Sequence, residues 1–218
     1  MNARLGVLIL AAGAGSRMGD LPKCLIRVDG EPLLMRLLRA LDCLPVQHTV
    51  LVLGHHASRI QKALAQCPSP SGVSVAHNPA PGEDPASSLQ LGLCRLLEGP
   101  ADPAIDAVMV LLADLPLLNG QDLRSVCDAF TDSARKPAIL WPSVQGQPGH
   151  PVILRRDVAQ AVLRQGQGLK PWRAQHPEQI TDWPTDNDHH VRDLDTLADL
   201  DKLRRLTGRT WQLPESDT

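Results

Sequence analysis

The chain has 218 residues, of which 43 % are hydrophobic and 21 % are charged, and its formal net charge is −2. This length is typical of one domain, and the nearly balanced charge gives no basic surface for a nucleic-acid partner. The short apolar run near the N-terminus ends in Gly-Ala-Gly, so it predicts neither a signal peptide nor a membrane-spanning helix.

Apolar strands alternate with amphipathic helices along most of the chain. The first strand is predicted at 6–11, where the run GVLILA is typical of a strand buried on both faces. Further strands are predicted at 49–53, 73–76, 107–112, 138–141 and 151–154. Apolar residues at helical spacing predict helices at 32–44, 57–66, 89–97, 120–130, 157–165 and 196–206. Loops rich in proline or glycine are expected at 68–72 and 78–88.

This order predicts an α/β fold in three layers, with a mostly parallel central sheet covered by helices on both faces. We expect one domain over 1–208, followed by a frayed polar tail at 209–218. Ligands of such sheets bind at the carboxyl ends of the strands. Functional residues are therefore expected just after Ala11, Leu53, Ala76 and Leu112.

The stretch LILAAGAGSRMGDLPKCL at 8–25 follows the first strand. Its three glycines are spaced G-x-G-x-x-x-G, which does not match the dinucleotide fingerprint G-x-G-x-x-G. An ATPase phosphate loop needs Lys directly after a glycine, whereas Lys23 lies four residues past Gly19. Small residues at 12–16 let backbone N–H groups approach an anion, and Arg17 and Lys23 add two cations. The stretch therefore predicts a triphosphate site of another geometry.

A second motif, ADLP, follows the strand at 107–112. It places Asp114 at the carboxyl end of a central apolar strand, where a carboxylate is costly unless it is solvated or binds a metal. A Mg²⁺ ion that bridges nucleotide phosphates takes one or two carboxylates and several waters, which such an aspartate can supply. The alternative is that Asp114 only opens a turn that Pro116 closes.

Together these motifs carry a family resemblance. LAAGAGSRMGDLPK followed by ADLP resembles the nucleotidyltransferase superfamily, which joins a nucleoside triphosphate to a phosphorylated acceptor. Within it, GEDPASSLQLGL, GQPGHPVIL and RDLDTLADLDKL are similar to the molybdenum cofactor cytidylyltransferases. The similarity covers nearly the whole chain in the expected order. It implies a Rossmann-like fold of the nucleotide-diphospho-sugar transferase type.

The resemblance also implies roles for single residues. Asp114 and Asp195 would bind Mg²⁺, with Asp193 as a second candidate there or as a contact of the acceptor. From the residues alone, Asp195 precedes a helix and could equally be an N-cap. The expected catalytic residues are Arg17, Lys23 and Asp114. The expected nucleotide-binding residues are Leu10, Ala11, Ala12, Gly13, Ala14, Gly15, Arg17, Lys23, Ser87 and Ser88.

Several other polar residues have both a functional and a structural interpretation. Ser87 and Ser88 open a helix, so their hydroxyls could contact ribose or base, or only cap the helix. His150 is expected on a loop over the cleft, where it could meet an anionic acceptor or be plain surface. His55 and His56 follow the second predicted strand, but solvent exposure explains them equally well.

Three further details of the sequence bear on the predicted site. DNDHH at 186–190 is interpreted as a polar turn, because it lacks the spacing of a zinc or calcium site. One extra residue between Met18 and Lys23 is expected to shift how Lys23 meets the phosphates. Ala12 stands where related guanylyltransferases tend to have glycine, and its methyl group would crowd a purine more than a pyrimidine, which favours CTP.

The predicted function is a Mg²⁺-dependent transfer of a nucleoside monophosphate, from CTP to the terminal phosphate of the molybdenum cofactor, with release of pyrophosphate. A molybdoenzyme or its chaperone would be a further partner, and five scattered cysteines indicate reduced thiols in the cytoplasm. One alternative is guanylyl transfer to that cofactor, or transfer to a sugar phosphate or a methylerythritol-type phosphate. The others are a Rossmann-like oxidoreductase, which the glycine spacing disfavours, and a non-catalytic protein that carries the cofactor to a molybdenum hydroxylase.

Overall fold

The structure, a computed structural model, describes residues 4–66, 72–82, 85–98, 105–132 and 137–215. Residues 68–71 and 83–84, which belong to the two predicted loops, lie outside these ranges. So do residues 216–218 at the end of the predicted tail. All statements below concern the described part of the chain.

Strands and helices alternate as the sequence predicts. The described strands are β1 (Leu5–Ala11), β2 (Arg27–Val28), β3 (Glu31–Pro32), β4 (Val46–Leu53), β5 (Val73–His77), β6 (Ala107–Leu112), β7 (Ile139–Val144), β8 (Gln147–Pro148), β9 (Val152–Arg155), β10 (Ile180–Pro184) and β11 (Trp211–Gln212). The described α-helices are α1 (Leu33–Ala40), α2 (Ala57–Ala65), α3 (Ala86–Leu97), α4 (Gly120–Asp132), α5 (Arg156–Gln165), α6 (Leu169–Gln175) and α7 (Leu197–Thr207).

The main sheet has the strand order β10-β7-β9-β6-β1-β4-β5, with β8 paired to β7. Strands β6, β1, β4 and β5 are parallel, and β9 is antiparallel to both of its neighbours. This arrangement confirms the predicted α/β class with a mostly parallel sheet. The sheet separates two apolar layers, so that Val7 and Ile9 of β1 pack with α1, α2 and α4, while Leu8 packs with α3 and α5.

Every predicted strand and helix is present, with shifted ends. Helix α1 stops at Ala40 and a 3₁₀ turn follows, where the sequence predicts one helix to 44, and α3 begins at Ala86 rather than at 89. The sequence analysis missed β10 and α6. Strand β10 is an edge strand with the mixed sequence ITDWP, and α6 has only 7 residues, so neither has a long apolar period.

The expectation of a frayed tail does not hold for residues 211–212. They form β11, which pairs with β2 in a small antiparallel sheet that also contains β3. Trp211 is buried and packs in one cluster with Met18 and Val28. The cause is the burial of a large indole together with ladder hydrogen bonds, which a short polar segment does not reveal in sequence.

The strand order reverses beside β1, because the chain runs from β1 to β4 and β5 on one side and then to β6 on the other. In open parallel sheets the crevice at such a switch point is where ligands bind. The loop after Ala11 and the segment after Leu112 open into this crevice. No helix in the described ranges is long and apolar enough to cross a membrane.

Candidate active site

A cleft of about 920 Å³ lies at the carboxyl ends of β1, β4 and β6. This volume is within the range of small-molecule sites in proteins. One wall is the loop after β1 and the other is the end of β6, so both predicted motifs face one space. The lining residues include Leu10, Ala11, Gly13, Ala14, Gly15, Ser16, Arg17, Lys23, His55, His56, Pro81, Gly82, Ala113, Asp114 and Asp195.

Residues 13–17 of the loop after β1 line the cleft. Gly15 has φ of +68°, and a Cβ on it would lie 2.1 Å from the carbonyl oxygen of Leu21, so only glycine fits there. A 3₁₀ turn at Ser16–Met18 follows. Within the described ranges, the N–H groups of residues 13–17 donate to no protein acceptor. Such consecutive free amides form a concave site for an anion.

His56 holds the loop by a side-chain hydrogen bond. Nε2 of His56 donates to the carbonyl oxygen of Ala14 at 2.7 Å. Gly54 also packs tightly on this loop, since a Cβ there would lie 2.6 Å from the carbonyl oxygen of Ala12. The sequence places both residues after β4, where functional residues are expected, but their role as a support of the loop was missed.

Four charged side chains converge between the two walls. Nζ of Lys23 donates to Oδ2 of Asp114 at 2.9 Å and to Oδ1 of Asp195 at 2.8 Å. Nη1 of Arg17 donates to Oδ2 of Asp195 at 2.5 Å. The structure thus joins residues from three distant parts of the chain, despite the extra residue that precedes Lys23.

The charges shift the pKa values of these groups. Burial alone would lower the pKa of Lys23, but the two carboxylates outweigh burial and raise it. The hydrogen bond from Lys23 lowers the pKa of Asp195, with help from the charge of Arg17 and against partial burial. Desolvation and the like charges of Asp195 and Asp114 raise the pKa of Asp193. In the cleft, the half-buried ammonium of Lys23 and the guanidinium of Arg17 thus balance the carboxylates of Asp114 and Asp195.

The carboxylates of Asp114 and Asp195 are held by neighbouring backbone. Asp114 follows β6, and its carbonyl oxygen accepts a hydrogen bond of 3.0 Å from the N–H of Leu194, which is fully buried. This bond places Asp195, the next residue, beside Asp114. The N-cap of α7 is Thr196, which forms a capping box with Asp199. The capping alternative for Asp195 is therefore wrong, and its carboxylate instead accepts hydrogen bonds from Lys23 and Arg17 in the cleft.

These two aspartates fit a divalent cation. Both reach one ammonium, so a cation at the position of Lys23 Nζ would contact both carboxylates. No group of three or more His, Cys, Asp or Glu side chains converges on a metal-sized space in the described ranges. Two carboxylates completed by water and phosphate oxygens are the set that Mg²⁺ prefers, whereas zinc takes four protein ligands in structural sites.

Three predicted nucleotide-binding residues do not line the cleft. Ala12 is buried, and its methyl group lies against Gly54. The side-chain amide of Asn78 donates to the hydroxyls of both Ser87 and Ser88 at 3.0 Å. Those hydroxyls therefore tie the start of α3 to the end of β5.

His150 lies beside the site without lining it. Its Nδ1 is 3.5 Å from the carbonyl oxygen of Val110 on β6, and burial lowers its pKa to about 4. The imidazole is uncharged at neutral pH, so it can meet an acceptor only by hydrogen bonding. His55, by contrast, lines the cleft. Pro81 and Gly82 also line it, and the sequence analysis assigned neither of these two residues to the site.

The switch-point cleft, its loop of small residues and its paired cations and carboxylates suit an α/β protein that binds a nucleotide and a divalent cation. The chain belongs to the MobA-like NTP transferase domain family, which it matches over residues 7–180.

Known proteins resemble this chain in sequence or in fold. The bifunctional protein GlmU of Mycobacterium marinum is 31 % identical over 150 residues, which are 68 % of this chain but 30 % of GlmU. The chain thus spans less than a third of that relative. Solved structures similar in fold include Rv0371c of Mycobacterium tuberculosis in complex with manganese, at 23 % identity and TM-score 0.66, covering 92 % of this chain and 97 % of that one. Another is a 4-diphosphocytidyl-2C-methyl-D-erythritol synthase of Anaerococcus prevotii, at 13 % identity and TM-score 0.73, covering 95 % and 97 %.

Proposed function

We propose that the protein transfers a cytidylyl group from CTP to the terminal phosphate of the molybdenum cofactor and releases pyrophosphate, with Mg²⁺ bound. The observation that carries this proposal is the position of Lys23 between Asp114 and Asp195, beside the free amides of residues 13–17. A triphosphate needs cations and amides, and its metal needs carboxylates. One cleft offers both, and Lys23 lies within hydrogen-bond distance of the two carboxylates.

The reaction needs no nucleophile from the protein. A terminal phosphate oxygen of the acceptor attacks the α-phosphorus of CTP in line, the bond from that phosphorus to the bridging oxygen breaks, and pyrophosphate leaves. Catalysis then consists of positioning and of charge neutralisation. The amides of residues 13–17 would donate to phosphate oxygens, and Arg17 and Lys23 would neutralise the leaving pyrophosphate.

Asp114 and Asp195 are the residues that would hold Mg²⁺. The ion, when bound, orients the α-phosphate and reduces the charge that repels the attacking oxygen. Lys23 would turn from the carboxylates to the phosphates as the nucleotide enters, because the same ammonium can satisfy only one of the two sets fully. His56 would keep the loop in place through its hydrogen bond to Ala14.

The identity of the base and of the acceptor rests on similarity. The motifs GQPGHPVIL and RDLDTLADLDKL resemble the molybdenum cofactor cytidylyltransferases, and one fold neighbour is named for a diphosphocytidyl product. That neighbour also favours a second candidate, in which a cytidylyl group goes to a methylerythritol-type phosphate. We place the reaction in the cytoplasm, where a molybdoenzyme or its chaperone could receive the product.

The test is pyrophosphate release measured with each of CTP, GTP, ATP and UTP, with and without Mg²⁺. Each nucleotide is combined with the molybdenum cofactor, a sugar phosphate, methylerythritol phosphate or no acceptor. The proposal expects the fastest release from CTP with the molybdenum cofactor. If pyrophosphate is released only with GTP, the proposed nucleotide is wrong and GTP takes its place. If it is released only with another phosphorylated acceptor, the proposed acceptor is wrong. If no pair reacts and no nucleotide shifts the melting temperature, the proposal fails.

A further inference from the structure

A buried carboxylate at the start of α4 lies outside the cleft and has more partners than a helix cap needs. Asp122 accepts a hydrogen bond of 3.0 Å from the N–H of Asn119, whose own side chain accepts from the N–H of Asp122 at 3.2 Å. These bonds form an ordinary capping box. The side chain of Asp122 is only 7 % exposed, so its remaining acceptor sites must be satisfied inside the protein.

Those sites are filled by a segment far along the chain. Nδ2 of Asn187 donates to Oδ1 of Asp122 at 2.7 Å, and Nδ1 of His189 donates to Oδ2 at 2.9 Å. Both donors come from the segment DNDHH, which the sequence analysis interpreted as a polar turn. The turn is therefore an anchor, in which two side chains bind one buried carboxylate on another element.

The anchored segment leads directly to the cleft. After β10 the chain is tied to β7 by the N–H of Thr185, which donates to the carbonyl oxygen of Ser143 at 2.9 Å. His190 then accepts from the N–H of His150 at 2.8 Å, and its own Nδ1 lies 2.9 Å from the carbonyl oxygen of His150. The last tie is the bond from Leu194 to Asp114, and the next residue is Asp195.

A second acidic residue of the segment makes a useful contrast. Asp188 forms an ion pair with Arg192, four residues later in the same segment. A pair within the segment cannot fix it against the rest of the fold. Asn187 and His189, unlike Asp188, join the segment to a charged group on α4.

We propose that Asp122 and His189 form a positioning pair, which holds residues 186–195 against α4 and so sets the position of the Asp195 carboxylate in the cleft. The inference rests on the proposed function to the extent that Asp195 is a metal ligand. Neither residue lines the cleft, and His189 acts on Asp195 through the backbone between them.

The experiment measures Mn²⁺ affinity by electron paramagnetic resonance in the presence of CTP and without acceptor, so that no turnover occurs. His189→Ala is the main variant, because His189 is not part of the cap of α4. Asp122→Asn is the second variant, and Asp188→Asn is the matched control. Hydrogen exchange of peptides from 186–195 is measured on the same proteins, together with the melting temperature.

We expect His189→Ala to weaken Mn²⁺ binding by about 2- to 30-fold, the range found when one member of a connected network is removed. Exchange over 186–195 becomes faster, and Asp188→Asn stays within about twofold of wild type in both readouts. The double variant, Asp122→Asn with His189→Ala, should bind Mn²⁺ as tightly as the single variant with the lower Mn²⁺ affinity. The reason is that both changes break the same contact between Asp122 and His189.

Two failures are distinguishable. If the wild-type protein binds Mn²⁺ and His189→Ala binds it equally well, with unchanged exchange over 186–195, the positioning role is overturned and the metal site stands. If the wild-type protein binds no Mn²⁺ with CTP, the proposed metal site itself is overturned. A loss of Mn²⁺ affinity in Asp188→Asn equal to that in His189→Ala also contradicts the inference, since any disturbance of the turn would then suffice.

Discussion

The ammonium of Lys23 lies 2.9 Å from Oδ2 of Asp114, a residue 91 positions later in the chain. The cation expected to bind the triphosphate is thus paired with a carboxylate expected to bind its metal. Entry of a metal alone would bring a second cation against Lys23, and entry of a nucleotide alone would bring phosphates against Asp114 and Asp195. When the metal and the nucleotide enter together, the carboxylates can bind the metal while Lys23 binds the phosphates, so no like charges are left facing each other.

We therefore predict that Mg²⁺ and CTP bind cooperatively. Isothermal titration of CTP with and without Mg²⁺, at constant ionic strength, should show tighter binding with the metal by about 5- to 150-fold, the usual size of coupling between two sites. The reciprocal titration of Mg²⁺ should show the same factor. Equal CTP affinity in the two conditions would contradict the exchange of partners.

The second prediction concerns Asp114. Asp114→Asn keeps the size of the side chain but removes the charge, so metal-dependent pyrophosphate release should fall by at least about a hundredfold, since a metal contributes several kcal/mol to such a reaction. A control is Asp128→Asn on α4, away from the residues that line the cleft. Full turnover in Asp114→Asn would remove this carboxylate from the site.

The third prediction separates binding from chemistry at Lys23. Lys23→Ala removes a charged hydrogen-bond donor, so the free energy of CTP binding should weaken by about 1.5–3 kcal/mol. Lys62→Ala is the matched control, because Lys62 is exposed on α2. The measurement is CTP affinity by titration calorimetry, and an affinity equal to that of Lys62→Ala would speak against the triphosphate site.

Features of the site that come from neighbouring residues could be predicted from the sequence, whereas those that come from contacts between distant residues could not. The loop at 12–17 and Asp114 are local signals at the ends of apolar strands, so their position at the edge of the sheet could be predicted from the sequence. The contact between Lys23 and Asp195 could not be predicted from local sequence. It depends on the hydrogen bond from Leu194 to Asp114, which brings a distant part of the chain to the cleft. Only the family resemblance pointed to Asp195.

The misses have the same cause. Asp122 has the sequence signature of a cap, and its contacts to Asn187 and His189 span 65 and 67 positions. Ala12 is adjacent in sequence to residues that line the cleft, but its methyl group packs against Gly54 and Ala12 is not among the lining residues. Periodicity and spacing carry no information on such contacts, since they arise from tertiary packing.

The fourth prediction uses two glycines of the loop. Gly15 and Gly19 both have positive φ, of 68° and 77°, but only a Cβ on Gly15 meets another atom, the carbonyl oxygen of Leu21. Gly15→Ala should therefore destabilise the protein and weaken CTP binding, while Gly19→Ala carries only the left-handed backbone cost of about 1–2 kcal/mol. Urea unfolding and CTP titration of both variants provide the test. Equal loss in the two variants would mean that the contact with Leu21 has no effect.

The fifth prediction is a pH dependence of stability that comes from His150. Burial lowers the pKa of His150 from 6.5 to about 4 in the folded protein, so the unfolded chain takes up a proton first as the pH falls. The unfolded state then binds more protons than the native state, and stability declines from pH 6.5 to about 4 and no further from this group. At about 1.4 kcal/mol for each pKa unit, the loss is about 3 kcal/mol.

Urea unfolding at pH 7 and near pH 4 should therefore show a smaller loss of stability on acidification in His150→Gln than in the wild-type protein. The loss will not vanish, because burial also lowers the pKa of His190. His77→Gln, at an exposed position at the end of β5, is the control and should keep the wild-type difference. An unchanged difference in His150→Gln would show that the native state accepts the proton on His150 as readily as the unfolded chain does.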